Sequence, residues 1–223
     1  MASKILHAAK LKNTDAGDPN FVYEFNPKVA KHWFNSDLRL ARFGVHGDGS
    51  CAYHSICASL NIQDYIHKTD EEQKQIAYRF RCSFSDKISP TKLKSLFKKN
   101  KNKSPINVQE LQESLCDPKI WADETAIRLM SETLELNLIF LDMNNNKVFC
   151  GVHHESAMEE DVLPPTIVVC WITHSHFEPL ARILKTGPRL TEIKMLFEPS
   201  VDKEDNELVR SLMKQYKKQC NIK

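Results

Sequence analysis

No two of the seven cysteines stand in Cys-x-x-Cys spacing. That disfavours a thiolate zinc site, and the odd count disfavours a disulfide framework. Free thiols suit a reducing compartment, where one cysteine can be a nucleophile while the others are small buried apolar residues. Long apolar runs are also missing. The longest, Ile167–Ile172, falls far short of the ~20 residues that span a bilayer. Met1–His7 carries one lysine but no apolar core of a secretory signal. Charge of one sign is lacking too: 31 Lys and Arg against 29 Asp and Glu leave a formal +2. Such a balance excludes a protein built mainly to coat nucleic acid or an acidic membrane. No internal repeat is present. What remains is 41% apolar residues, enough for a core, and 27% charged residues, as in soluble globular proteins. A soluble intracellular protein, cytoplasmic or nucleocytoplasmic, is expected.

At roughly 150 residues per domain, 223 residues make one sizeable domain with extensions, or two small ones. Residues 1–36 mix lysines and turn formers with Phe21, Tyr23, Phe25, Trp33 and Phe34, and predict an arm packed on the core. Helices are predicted over 51–60, after the Gly47-Asp48-Gly49-Ser50 loop, and over 71–86, where Ile76, Phe80 and Phe84 recur at fourfold spacing. Further helices are predicted over 108–115, before a break at Asp117-Pro118, and over 123–134, with Ala126, Ile127, Met130 and Leu134 on one stripe. Two β-type runs, Leu138–Leu141 and Lys147–Cys150, flank a turn. Thr166–Ile172 is apolar on both faces, as a central buried strand is. A last strand starts near His176, and Pro179 is expected to confine it to an edge or to its first residues. Lys185–Arg189 reads as a boundary. Residues 186–223 then form an extension, expected to be dispensable for chemistry, with an amphipathic helix over 202–218 that either docks on the core or binds a partner. Helices early and strands late give an α+β or small α/β domain over 37–185.

Two segments carry candidate chemistry. In the first, Cys51 follows Gly47-Asp48-Gly49-Ser50 and occupies the first turn of a helix. Unsatisfied N–H groups there stabilise a thiolate and can face an oxyanion. The plainer reading is a structural cysteine beside an ordinary turn. In the second, Trp171–Ile172 leads to His174, His176 and Glu178. If His176 begins a strand, Glu178 points to the same face and can hold the imidazole that accepts the Cys51 proton. His174 and His176 at i, i+2 also suit a metal, but the only further cluster, His153-His154-Glu155, sits in a loop and does not complete four ligands. Lys92–Lys103 lacks the aromatic interleaving of a nucleic-acid surface and reads as a solvated face. Glu159-Glu160-Asp161 is either a solvated acidic loop or a contact for a basic peptide tail.

Together the two segments resemble the ovarian-tumour (OTU) cysteine deubiquitinases, whose signature is an Asp-Gly-x-Cys loop opening a helix and a later His-aromatic-Asp/Asn. Here these are Asp48-Gly49-Ser50-Cys51 and His176-Phe177-Glu178, and Trp121 with Glu124 is similar to the family's middle block. The resemblance covers roughly residues 37–184 and implies a papain-like α+β fold of OTU type, a small central sheet between helical lobes. Such domains occur in viruses as well as eukaryotes. It implies a thiol-dependent hydrolase that cuts the isopeptide bond after the C-terminal glycine of ubiquitin or a ubiquitin-like protein. Cys51 would be the nucleophile, His176 the base, Glu178 the orienter, and Asp48 the shaper of the oxyanion loop. The expected partners are ubiquitin or its chains, met by a monomer; no cofactor, metal, nucleic acid or membrane is called for. Glu178 departs from the family's Asp or Asn by one methylene, and if it misorients His176 the domain is a ubiquitin-binding module that does not cut.

Overall fold

The computed structural model describes residues 15–25, 33, 38–91, 93, 107–151, 162–173, 175–184 and 193–220. Among them the strands are β1 (Val22–Glu24), β2 (Leu40–Phe43), β3 (Asn137–Asp142), β4 (Lys147–Gly151), β5 (Thr166–Ile172), β6 (His176–Ile183), β7 (Ile193–Lys194) and β8 (Leu196–Phe197). The helices are α1 (Cys51–Leu60), α2 (Ile62–His67), α3 (Asp70–Ser85), α4 (Val108–Cys116), α5 (Glu124–Leu134) and α6 (Lys203–Gln219). The strands form one mixed sheet in the order β1-β2-β6-β5-β3-β4, with β7 added to β6 and β8 to β5.

Strand β5 sits in the middle because it has no polar face to offer. It runs parallel to β3 and antiparallel to β6. Ile167 and Val169 enter one apolar layer, with Cys51, Tyr53 and Ile56 of α1 and Met130 of α5. Val168, Cys170 and Ile172 enter the other, with Leu208, Val209, Leu212 and Met213 of α6. The alternation of period two thus supplies two cores, and helices cover both faces. Local signals set the helix ends. Thr69 and Glu72 close a capping box on α3, and Asp123 accepts a hydrogen bond from the Ala126 amide at the start of α5.

Three findings differ from the sequence expectations. Pro179 lies within a strand bonded on both sides rather than on an edge. The ladder from β2 stops at Arg42 opposite Leu180, so Pro179 is paired only with Val169 of β5 and its missing N–H leaves no gap. Cys82 of α3 and Cys116 of α4 form a disulfide, with Cα atoms 4.7 Å apart. Their pairing follows from how two helices pack, which spacing in the chain does not encode. The segment beyond residue 185 supplies β7, β8 and α6 to the same sheet and core. In the arm, Tyr23, Phe25 and Trp33 are buried, and β1 pairs with β2.

The packing of α6 fixes an expected cost. Leu212→Ala should lower stability by about 2–5 kcal/mol, the range for emptying a fully buried leucine site, read from the urea midpoint at constant slope. Truncation after Leu184 uncovers the whole second core and should abolish the cooperative thermal transition.

Candidate active site

Cys51 opens α1 at the end of a braced loop. Gly49 has φ +84°, and a Cβ there would lie 2.1 Å from the Pro118 carbonyl oxygen, so only glycine fits. Asp48 Oδ1 accepts the Ser50 amide at 3.0 Å, and its Oδ2 lies 3.0 Å from Nε2 of the buried His54. Nδ1 of His54 lies in turn 2.5 Å from the Tyr65 hydroxyl. Burial alone would raise the Asp48 carboxyl, but the His54 and backbone hydrogen bonds hold it below its ordinary value. Asp48 is thereby spent on shaping the loop. The Ser50 side chain makes no capping bond, so the first turn of α1 keeps its polar end toward the cleft.

The loop is gripped a second time from α3. Arg81, 1% exposed, donates to the carbonyls of Gly49 (3.3 Å), Ser114 (3.2 Å), Leu115 and Ile120, and its guanidinium lies 4.9 Å from the Tyr53 ring centroid. One buried cation thus ties the cysteine loop to the end of α4 and the turn that follows it.

His176 is the first residue of β6, held opposite Ile172 after a reversal in which Thr173 takes φ +52°. Its ring is buried, with Nε2 3.5 Å from Glu178 Oε1. That is ion-pair range rather than a hydrogen bond, and Nε2 has no hydrogen-bond partner among the described residues. The other edge of the ring, Nδ1, faces Gly47 and is the nitrogen left for Cys51. Burial alone would lower the imidazole, but contact with Cys51, then with Glu178, and the charge of both push it up to about 9. The Cys51 Sγ also lies 4.0 Å from the Ser175 carbonyl oxygen.

Glu178 has no exposed surface. Its Oε2 accepts from Nη1 of the equally buried Arg42 at 2.7 Å, and its Oε1 accepts the Gly17 amide at 2.5 Å. Cys51 and His176 line a cleft of about 370 Å³ together with Gly17, Gly47, Gly49, Trp121 and Ser175. The structure therefore brings Cys51, His176 and Glu178 together and sets Asp48 behind the loop. His174, His153, His154, Glu155, Glu159–Asp161 and nearly all of Lys92–Lys103 lie outside the described residues. Arg42, Gly17, Arg81 and His54 have no role in the sequence reading. Arg42 had a signal, a single charge inside the apolar run Leu40-Ala41-Arg42-Phe43.

A raised imidazole value has a definite sign in stability. The folded protein holds the His176 proton more tightly than the unfolded chain does. The resulting stabilisation is complete below about pH 6.5 and is lost as the pH climbs through about 9. The stability advantage of the parent over His176→Gln, read by urea unfolding at fixed salt, should shrink steadily from pH 6 to pH 9.5. A flat difference over that range would break the assignment.

Comparison with known proteins adds an independent line. A solved OTU domain in complex with ubiquitin superposes with a TM-score of 0.53 at 16% identity, covering 95% of this chain and 98% of that one, which shows the fold. An OTU deubiquitinase from Wolbachia pipientis wMel aligns at 19% identity and TM-score 0.45, covering 69% and 94% of the two chains. The viral OTU domain protease of Qalyub virus aligns at 15% and 0.42, covering 74% and 91%. A search of curated proteins finds no match. The sequence pattern described as OTU-like cysteine protease matches residues 46–178, more than half of the chain and the whole span from the cysteine loop to Glu178. The α+β sheet-and-helix architecture is that of the OTU fold, and the chain belongs to the OTU-like cysteine protease family.

Proposed function

We propose that the protein is a thiol-dependent deubiquitinase that hydrolyses the isopeptide bond after the terminal glycine of ubiquitin or a ubiquitin-like protein. One observation carries this reading: Cys51, at an uncapped helix start, meets a buried His176 backed by a buried carboxylate, in a cleft that three glycines also line. A Cβ at Gly47 would stand 3.6 Å from Nδ1 of His176, so the bare backbone there leaves room beside the ring for an extended chain without side chains. A Gly-Gly terminus has that shape. The OTU domain of like fold that was solved with ubiquitin bound supports the choice of substrate.

Each step then has a residue. Cys51 Sγ attacks the glycine carbonyl carbon as thiolate, facing the His176 imidazolium. The oxyanion meets N–H groups of the loop and first turn that Arg81 and Asp48 hold in place. His176 gives its proton to the leaving lysine amine, and the C–N bond breaks. The same ring then takes a proton from water, whose oxygen attacks the thioester, and the Cys51 thiolate leaves with the ubiquitin carboxylate as product.

A second reading is a module that binds ubiquitin without cutting, and the 3.5 Å separation of His176 and Glu178 favours it. A ubiquitin propargylamide probe separates the two. Covalent capture at Cys51, lost in Cys51→Ala, supports the enzyme; purely reversible binding supports the module.

On a fluorogenic ubiquitin substrate, Cys51→Ala and His176→Ala should abolish turnover. Glu178→Gln should lower it about 10²-fold, as expected when an orienter is lost but nucleophile and oxyanion donors remain. Glu178→Ala should in addition lose folded protein, because it strands the Arg42 guanidinium in the core. Among the free thiols Cys51, Cys57, Cys150, Cys170 and Cys220, alkylation at neutral pH should reach Cys51 first. Equal rates at all five would count against it.

A further inference from the structure

We propose that Arg42 and the backbone N–H of Gly17 form a two-point clamp that aims the Glu178 carboxylate at His176, which makes residues 15–19 a working part of the catalytic centre. The inference rests on the reading of Cys51, His176 and Glu178 given above. It answers how a glutamate serves where the family prefers a shorter acid. The longer side chain has one more torsion to fix, and a carboxylate aimed within a few tenths of an ångström needs both oxygens tied.

Both are tied. On the sheet, Arg42 of β2 pairs with Leu180, so Glu178, two residues along β6, is its diagonal neighbour on the same face. Nη1 of Arg42 binds Oε2 at 2.7 Å, which leaves Oε1 turned toward Nε2 of His176. Nη2 of the same guanidinium donates to the Asp15 carbonyl at 3.0 Å. Gly17 then closes the second point on Oε1. The strap is itself seated firmly. The Asp18 amide donates to the Tyr23 hydroxyl at 2.7 Å, and the Asn20 amide to the Gly44 carbonyl at 2.9 Å. Ring and strap are so close that a Cβ on Gly17 would lie 2.2 Å from the Tyr23 ring. Ala16, Gly17 and Pro19 also line the cleft, so whatever enters it touches the segment that holds the orienter. Arg42 and Gly17 touch His176 only through Glu178 and are positioning residues.

Among the described residues, the titratable groups acting on the His176 ring are Cys51 from α1 and Glu178 from its own strand. Behind Glu178 stand Arg42 from β2, the Tyr23 hydroxyl from β1 and the Cys170 thiol from β5. The test is the rate of Cys51 alkylation by iodoacetamide against pH, in the full chain, with the modified peptide quantified by mass spectrometry. The upper inflection of that profile reports His176. It should fall by about one pH unit or more in Glu178→Gln and in Arg42→Gln. Gly17→Ala should lower it by less, and Arg42→Lys, which keeps the charge without the fork, should fall between the parent and Arg42→Gln. The double variant Arg42→Gln with Glu178→Gln should match Glu178→Gln alone. An inflection unmoved or raised in Arg42→Gln, or a double variant lower than Glu178→Gln, overturns the clamp. If circular dichroism shows that Arg42→Gln does not fold, Gly17→Ala decides, and an unmoved inflection there overturns it. The readout needs no ubiquitin. A parent protein without any His176 inflection sinks the catalytic set itself, whereas clear inflections that ignore Arg42 and Gly17 sink the clamp alone.

Discussion

A carboxylate and a guanidinium, both shut away from water, face each other at 2.7 Å between β6 and β2, and the site is organised around that pair. Ions removed from water cost several kcal/mol each, and their attraction offsets this only when the remaining polar atoms also find partners. Here they do. The second carboxylate oxygen takes the Gly17 amide and the second guanidinium arm takes the Asp15 carbonyl. Satisfying the pair therefore requires three separate stretches of chain to converge at one end of the sheet. His176 is the first residue of the strand that carries the carboxylate, so its placement comes with theirs.

The cysteine side of the cleft follows the same logic with different parts. An Asp48–His54–Tyr65 chain reaches into the helical layer, and Arg81 collects carbonyls from three segments around the loop. Each is a polar group made affordable in the interior by complete bonding. The two sides are also bonded to each other: the Ser55 hydroxyl of α1 donates to the Phe177 carbonyl of β6 at 3.1 Å, and the Gln73 side chain of α3 donates to Asn20 Oδ1 at 2.8 Å. Such cross-links fix the separation of Cys51 and His176, which is what preorganisation of a reactive pair requires.

What the sequence discloses is what short-range chemistry writes. The start of α1 at Cys51 follows from a turn-rich loop, α5 from its stripe, and β5 from an apolar run that no exposed strand tolerates. Cys51 and His176 were visible because each sits at the end of such an element. Glu178 was visible as a neighbour of His176. Arg42 shows only as a lone charge in an apolar run and Gly17 not at all, and since they lie 136 and 161 residues from Glu178 nothing local marks the meeting. Strands β1, β2, β7 and β8 escaped notice for a related reason: at two to four residues they are too short to show a period and exist because longer strands offer them an edge. Pro179 misled because the rule against proline in central strands assumes ladders that run the full strand, and the β2–β6 ladder stops at Arg42 opposite Leu180, one residue early.

The chain holds three tryptophans, and the fold sorts them by surroundings. Trp33 is buried beneath α6, and Trp171 stacks on Phe177 with ring centroids 5.9 Å apart. Trp121 alone stands at the cleft wall, 54% exposed. Indole emission shifts to the blue when water is stripped from the ring, so an occupant of the cleft acts on one fluorophore and spares two. The molecule therefore carries its own optical gauge of occupancy, and a binding isotherm can be followed without label or turnover.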